Sequence, residues 1–79
     1  SVLLDGEARE LLKDEDLAST AEEFLGNDLN VSETSRNLYM HRNTLMYRLD
    51  KLERMTGLNL RKFSDAVTFR VITILNRLV

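Results

Sequence analysis

The sequence contains no cysteine, no proline and no tryptophan, and only three glycines. Without cysteine the chain forms neither disulfide bonds nor thiolate metal sites. Proline and glycine mark the turns of hairpin-rich β folds, so their scarcity favours long uninterrupted helices. No apolar run approaches the roughly 20 residues of a membrane span, and no basic-then-apolar leader is present. We therefore expect a cytoplasmic protein without a membrane partner.

The length and composition are those of one small globular domain. The chain has 79 residues, of which 43% are hydrophobic and 30% charged. A domain of this size buries only about 60% of the surface of its unfolded chain, so it must use its apolar residues efficiently or gain burial from a partner. We interpret residues 1–79 as a single domain. Because residue 1 is Ser rather than Met, we expect this domain to be a piece of a longer protein.

Charge is distributed unevenly along the chain, although the net charge is only −2. Residues 1–28 contain two basic and nine acidic side chains, a net charge of −7, whereas residues 29–79 contain nine basic and four acidic ones, a net charge of +5. Such an asymmetry can give a basic face that the average conceals, or it can be ordinary solvated surface. Charge alone leaves both interpretations open.

Apolar spacing and capping residues predict an all-α fold of five helices. Their approximate ranges are 6–13, 17–25, 33–38, 42–56 and 64–78. Asp5, Asp16 and Ser32 are the candidate N-caps of the first three helices. Gly26 and Gly57 can take the left-handed conformation that ends the second and fourth helices. Residues 1–16, which include the first helix, have the least regular pattern.

The fifth segment is apolar on almost every side. Its β-branched residues allow a strand, but its length and its interspersed polar residues favour a helix. A helix apolar all round is covered on more than one side, which here indicates a homodimer. We expect one stripe to complete the core beside Leu49 and Leu52, and an adjacent one to meet a two-fold mate. The first is Val67, Val71, Ile74 and Leu78 and the second Phe69, Ile72 and Val79, although their adjacency leaves open which stripe has which role. Dimerisation through domains outside this chain is the alternative.

No arrangement typical of catalysis or metal binding occurs in the sequence. His41 is the only histidine, and no Gly-rich phosphate loop is present. The carboxylates cluster in the N-terminal third, at positions typical of solvated helix faces and caps, whereas a metal site needs several carboxylates that converge. We therefore expect a protein that is not an enzyme, with no catalytic residue, no metal and no cofactor.

Residues 32–56 have the outline of a helix-turn-helix, in which a short helix and a turn of about three residues precede a longer amphipathic helix. In such a unit the N-terminal residues of the second helix meet base edges in the major groove. Arg42 and Asn43 stand there, and they can bond guanine and adenine, respectively, through paired hydrogen bonds. His41 and Thr44 lie beside them. These four residues are the candidates for base readout.

Other polar residues are candidates for positioning the DNA phosphates, namely Ser32, Tyr47, Arg48 and Lys51. Each candidate has a structural alternative. His41 could be only an N-cap, Arg42 and Lys51 could be solvated charges, and Tyr47 could be a partial core residue. Arg48 lies close to the apolar side of its helix and could instead pair with a carboxylate inside the domain.

Arg61 and Lys62 precede the fifth helix, where the helix dipole disfavours positive charge. We expect this helix start to bind a DNA phosphate through free backbone N–H groups and the two cations. The alternative is that both side chains only point into solvent.

The string Leu38-Tyr39-Met40-His41-Arg42-Asn43-Thr44-Leu45-Met46-Tyr47-Arg48-Leu49 closely resembles a known family signature. This is the L-x-x-H-R-N-T-L-x-Y-R-L pattern of the PucR-type bacterial transcription regulators, which include sugar-diacid regulators. The similarity covers about residues 17–78 and extends to Thr20-Ala21 with Phe24-Leu25, to Asn30 with Ser32, and to Gly57-Leu58-Asn59-Leu60. The Fis-type helix-turn-helix is similar more distantly. Two departures are Ser35, where the family often has Ala, and Tyr39, where many helix-turn-helix proteins have a Gly of positive φ.

The resemblance implies a C-terminal domain that binds double-stranded DNA, while the effector is bound by domains outside this chain. We thus predict sequence-specific DNA binding by the output domain of a bacterial transcription regulator. Such a protein would be nucleoid-associated when bound to DNA. The alternative is an all-helical protein-interaction or dimerisation module that does not bind DNA. The acidic N-terminal third favours this alternative.

Overall fold

The structure is a computed structural model that describes residues 15–78. Over this range the chain forms four helices: α1 (Glu15–Gly26), α2 (Val31–Asn37), α3 (Arg42–Thr56) and α4 (Phe63–Leu78). No strand occurs within these residues, so the all-α prediction is confirmed. The predicted first helix, 6–13, and its cap Asp5 lie outside the described residues, and the count of five helices is not confirmed. No helix in the described range is both long enough and apolar enough to cross a membrane.

The ends of α1 differ from the prediction. Asp16 is the second residue of the helix, so it is not the N-cap. At the other end, the Leu29 N–H donates to the Phe24 carbonyl at 3.0 Å and the Asp28 N–H to the Leu25 carbonyl at 3.2 Å. This pair of bonds is the Schellman closure, which needs a left-handed residue two positions beyond Gly26. Asp28 has φ 57°, and Gly26 keeps a helical conformation.

Helix α2 is capped by Asn30 rather than by Ser32. The Asn30 Oδ1 accepts a hydrogen bond from the Glu33 N–H at 2.9 Å, which satisfies one of the free donors of the first turn. Because Asn30 takes this role, the helix begins at Val31 and includes Ser32. The prediction of Ser32 as the cap was therefore wrong by two positions.

Helix α3 has the predicted bounds and ends at Gly57 as predicted, and His41, considered from the sequence as a possible cap, is its N-cap. The His41 Nδ1 accepts from the Asn43 N–H at 3.0 Å, so His41 is the N-cap, and Gly57 ends the helix with φ 75°. One stripe of α3 is buried against the rest of the domain; it consists of Leu45, Leu49, Leu52 and Thr56. The opposite side of α3 is thus free for other contacts.

The hydrophobic core lies between α1, α3 and the first half of α4. Phe24 of α1 and Phe69 of α4 are its aromatic members. Leu58 and Leu60 contribute from the segment between α3 and α4. The segment is held by side chains, since the Asp65 Oδ2 accepts from the Asn59 N–H at 3.0 Å. The core therefore fixes α3 by one side only.

Helix α4 contacts the core through a different stripe from the one predicted. Ala66, Phe69 and Thr73 are buried, and Ile72 packs against the core from its edge. The stripe predicted for the core is exposed: Val67, Val71, Ile74 and Leu78 are 45%, 50%, 44% and 79% exposed. Both stripes are apolar, so apolar spacing alone did not distinguish them. The stripe predicted for the core was wrong, because the core contacts the opposite side of α4.

Candidate nucleic-acid interface

The second and third helices form the predicted helix-turn-helix. The turn between them closes α2 as a Schellman motif, since the Met40 N–H donates to the Ser35 carbonyl at 3.0 Å and the Tyr39 N–H to the Arg36 carbonyl at 3.1 Å. Tyr39 occupies the left-handed position with φ 53°, as the departure from glycine indicated. The turn therefore has the backbone geometry that glycine usually supplies.

The N-terminal end of α3 presents a polar surface. His41, Arg42, Asn43 and Thr44 are all exposed. The His41 ring is fixed against the helix by its cap bond, so one of its nitrogens is engaged while the ring remains accessible. The structure thus places all four residues predicted for base readout at the N-terminal end of α3, before its first buried leucine, Leu45.

One side of α3 continues this surface along the helix. Asn43, Tyr47 and Arg54 lie at i, i+4 and i+11, which places them on the side opposite to the buried leucines. Tyr47 is 61% exposed, so the alternative of a core residue was wrong. The Arg54 guanidinium lies over the Tyr47 ring, 5.9 Å from its centroid. At that distance a cation is attracted by the face of an aromatic ring.

Whether an arginine pairs with a carboxylate depends on the element that carries it. Within residues 15–78, each of the four arginines outside α3 has a carboxylate within ion-pair distance; these are Arg36, Arg61, Arg70 and Arg77. None of the four basic residues of α3 has such a partner in that range; these are Arg42, Arg48, Lys51 and Arg54. Positive charge that is not compensated by a neighbouring carboxylate is thus concentrated on one helix.

Arg48 has a structural role in addition to its charge. Its Nη1 donates to the Asp16 carbonyl at 3.4 Å and to the Thr20 Oγ1 at 3.3 Å, both on α1. Its partners among the described residues are thus a carbonyl and a hydroxyl, and no carboxylate of that part of the chain pairs with it. These bonds tie α3 to α1.

Arg61 and Lys62 have different environments. The Arg61 Nη2 lies 2.9 Å from Asp50 Oδ1 and 3.4 Å from Glu53 Oε1, and its Nε donates to Asn59. Arg61 is therefore neither a free cation nor a side chain that only points into solvent, because it pairs with two carboxylates of α3. Lys62 is exposed, directly before the first residue of α4.

Two candidate contacts were missed by sequence reasoning. Tyr39 is 97% exposed in the turn, two residues before the N-cap of α3. Arg54 stands in the last turn of α3, where a basic residue is explained by the helix dipole alone. Its spacing of seven residues from Tyr47 was the available signal, since seven residues are two helical turns.

Comparison with known sequences identifies the domain. The sequence profile of the PucR C-terminal helix-turn-helix domain matches residues 17–75, which is most of the chain. The chain belongs to this family. Together with the regulators among its relatives, this membership confirms the predicted DNA-binding output domain of a transcription regulator.

The curated relatives of this PucR-type domain are much longer proteins. The purine catabolism regulatory protein of Bacillus subtilis is 34% identical over 67 residues, which are 85% of this chain and 13% of that protein. The protein YsfB of the same organism is 38% identical over 60 residues, 76% of this chain and 16% of that protein. The carbohydrate diacid regulator of Escherichia coli is 47% identical over 38 residues, 48% of this chain and 10% of that protein. The chain thus spans less than a fifth of each of these three relatives. No solved structure matches it significantly.

Proposed function

We propose that this domain binds double-stranded DNA sequence-specifically, with the N-terminal half of α3 in the major groove. The observation that carries the proposal is the segregation of basic side chains, since in the described range the arginines without a carboxylate partner all belong to α3. Phosphates attract such charges strongly, whereas arginines already paired with carboxylates contribute little. In this arrangement the DNA lies against the side of α3 that faces away from the core.

Base readout is assigned to the first turn of α3. Arg42 and Asn43 are the exposed side chains there that can form paired hydrogen bonds with a purine, and Thr44 and His41 flank them. The His41 cap bond sets the direction in which α3 begins, so it also orients the two readout residues.

Phosphate contacts are assigned to the residues that border this readout site. Lys51, Arg54 and Tyr47 follow along α3, and Tyr39 lies in the turn before it. Ser32 is exposed in the first turn of α2, the helix that crosses the backbone in this motif. Contacts from Lys62 and Arg48 are further proposals, and Arg61 would have to exchange Asp50 and Glu53 for a phosphate.

The longer protein is proposed to be a cytoplasmic bacterial transcription regulator that associates with the nucleoid when bound to DNA. We propose that it acts as a homodimer, that domains outside this chain bind the effector, and that its role is regulatory rather than catalytic. The named regulators among the relatives support this proposal. The residues of the described range supply no cluster of three potential metal ligands.

A salt titration with duplex DNA tests the proposal. Affinity for a specific site is expected to fall steeply between about 50 and 200 mM salt, because each neutralised phosphate releases counterions. Arg42→Ala is expected to cost about 1–3 kcal/mol and to relax preference at one base pair, whereas Lys51→Ala should weaken all sequences and reduce the salt slope by about 1. Arg77→Ala is the control, since Arg77 is paired with Glu22 on the far side of the domain.

Two outcomes would contradict the assignment. Unchanged affinity and base preference in Arg42→Ala would remove the proposed readout. Absence of binding by the unmodified chain at both salt concentrations would favour the protein-interaction module instead.

A further inference from the structure

The side of α4 that faces away from the core is an apolar surface with a regular spacing. Val67, Val71, Ile74 and Leu78 follow one another at intervals of 4, 3 and 4 residues, and we call these four residues the α4 seam. Leu75, 55% exposed, borders the seam. Intervals of four and three are those of a heptad, which keeps one narrow stripe facing a partner helix. The buried residues Phe69 and Thr73 lie on the other side of α4, so the core does not use the seam.

Two arginines, Arg70 and Arg77, flank the seam, and both are bonded to α1. Glu22 of α1 accepts from Arg70 Nη1 at 3.0 and 3.1 Å and from Arg77 Nη2 at 2.6 Å. These bonds hold both guanidinium groups over α1, and they compensate part of the charge. The seam itself therefore contains no charged side chain, although arginines flank it at two turns.

A groove continues the seam at its N-terminal half. It has a volume of about 320 Å³ and lies between the end of α1 and the start of α4. Leu25 and Leu29 line it from the side of α1, and Phe63, Val67 and Val71 from the side of α4; Asp28 and Arg70 also line it. The opposite end of α4 carries the most exposed residue of the seam, Leu78 at 79%. One half of the surface is thus concave and the other half projects.

We infer that the α4 seam binds a second copy of this chain, with the two α4 helices antiparallel. A two-fold axis at the middle of the seam pairs Val71 with Ile74 of the other copy, and Val67 with Leu78. The projecting end of each copy then meets the groove of the other, which makes the surface self-complementary, as a two-fold interface requires. This inference deepens the proposed homodimer, and it does not rest on DNA binding.

The size of the surface sets the strength of the contact. The seam with Leu75 and Phe63 exposes on the order of 600 Å² per protomer, below the roughly 800 Å² per partner of a standard interface. A patch of this size is at the upper end of those found on monomers, and such patches are often interaction sites. The expected dimer is therefore weak, with a dissociation constant in the micromolar range.

Sedimentation equilibrium of the chain over a range of concentrations tests the inference. The unmodified chain is expected to shift from monomer to dimer as concentration rises through the micromolar range. Val71→Glu is expected to remain a monomer with unchanged helical circular dichroism, because Val71 is exposed and the core does not need it. Ser19→Glu is the matched control; it adds the same charge at an exposed position of α1 and should still dimerise.

The orientation is tested by crosslinking, which is simple because the chain has no cysteine. A mixture of Val67→Cys and Leu78→Cys chains should form a mixed disulfide. Leu78→Cys alone should not crosslink, since the two copies of residue 78 would lie about 16 Å apart along the helices. Crosslinking of Leu78→Cys alone would overturn the antiparallel arrangement. A chain that stays monomeric to millimolar concentration, or a Val71→Glu variant that dimerises normally, would overturn the interface.

Discussion

Tyr39 has a backbone conformation that disfavours its side chain. Its φ of 53° lies in the left-handed region, where a side chain costs roughly 1 kcal/mol relative to glycine. Its ring is 97% exposed, so packing within the domain offsets none of this cost. Its position beside the residues proposed for base readout agrees with the proposal that the exposed ring contacts the DNA backbone.

Replacing Tyr39 with glycine should therefore stabilise the fold. Tyr39→Gly is expected to raise the free energy of unfolding by about 1 kcal/mol, which corresponds to roughly 4–8 °C in Tm for a domain of this size. Thermal unfolding followed by circular dichroism measures the change. Met40→Gly is the control, because Met40 is not in the left-handed region and should lose stability when made glycine. A lower Tm for Tyr39→Gly would show that the tyrosine ring stabilises the turn.

The environments of the candidate site residues were predictable from the sequence to different degrees. The position of Arg42 and Asn43 in the first turn of α3 is predicted by local apolar spacing. The partners of Arg48 and Arg61 were not predictable, because Thr20 and Asp50 are 28 and 11 residues away in sequence. Only the packing of α1 and of the segment after α3 brings those groups within hydrogen-bond distance.

At the scale of elements, α1 and α4 are joined by one carboxylate. Glu22 accepts hydrogen bonds from Arg70 and Arg77, and it is half-buried. Burial raises the pKa of Glu22, but the hydrogen bonds and charges of the two arginines together outweigh it, so the pKa of Glu22 lies below its ordinary value of 4.5. The ionised form is thus stabilised in the folded protein, which links the two helices more strongly at neutral than at acid pH.

The stability of the domain should depend on pH through Glu22. Because the folded state lowers its pKa, the contribution is present above pH 4.5 and is lost as the pH falls through the lower, folded value. Glu22→Gln is expected to lower Tm modestly at pH 7 and to flatten the decrease in Tm below pH 4.5. Asp28→Asn, which removes an exposed carboxylate from the same region, should keep the acid-dependent decrease. An acid limb unchanged in Glu22→Gln would exclude the carboxylate as its source.

The existence of the described helices was more predictable than their ends. Helix α3 matched at both ends, and Gly57 is the local signal that ends it. The ends of α1 and α2 did not match. Asn30 and Ser32 are both good caps, and which of them acts depends on the closure of the preceding helix, a contact of several residues rather than of one.

At the scale of the whole molecule, the net charge of −2 conceals a basic side. Among residues 15–78, Glu33 and Glu22 pair with arginines of α2 and α4, and Asp50 and Glu53 of α3 pair with Arg61, whereas the four basic residues of α3 have no carboxylate partner in that range. The described chain measures 33 × 23 × 22 Å. For the dimer inferred above, we expect the two α3 helices to be separated by about one DNA turn, roughly 34 Å.

Binding of a dimer should depend on the spacing of two half-sites. Half-sites with centres about 10 base pairs apart are expected to be bound more tightly than a single half-site, because one turn places both on the same side of the DNA. Insertion of about 5 base pairs should remove this gain by rotating one half-site by half a turn. A gel-shift titration with both duplexes measures the difference. Val71→Glu is the control that should bind the two spacings equally; a gain that persists in this variant would indicate another dimer interface.

The sequence by itself determined the helix-turn-helix. The pattern is local: it consists of helix periodicity, the residues that end α3 and the string around Arg42. Such local features can be recognised without knowledge of the rest of the fold. Tertiary structure alone decided which stripe of α4 is buried. Phe69 and Val71 are both apolar and lie on nearly opposite sides of one helix, so the apolar pattern is compatible with either choice. Only the position of α1 and α3 determines that Phe69 enters the core and Val71 remains exposed. The same packing determines which arginines meet a carboxylate, and therefore where the positive charge remains.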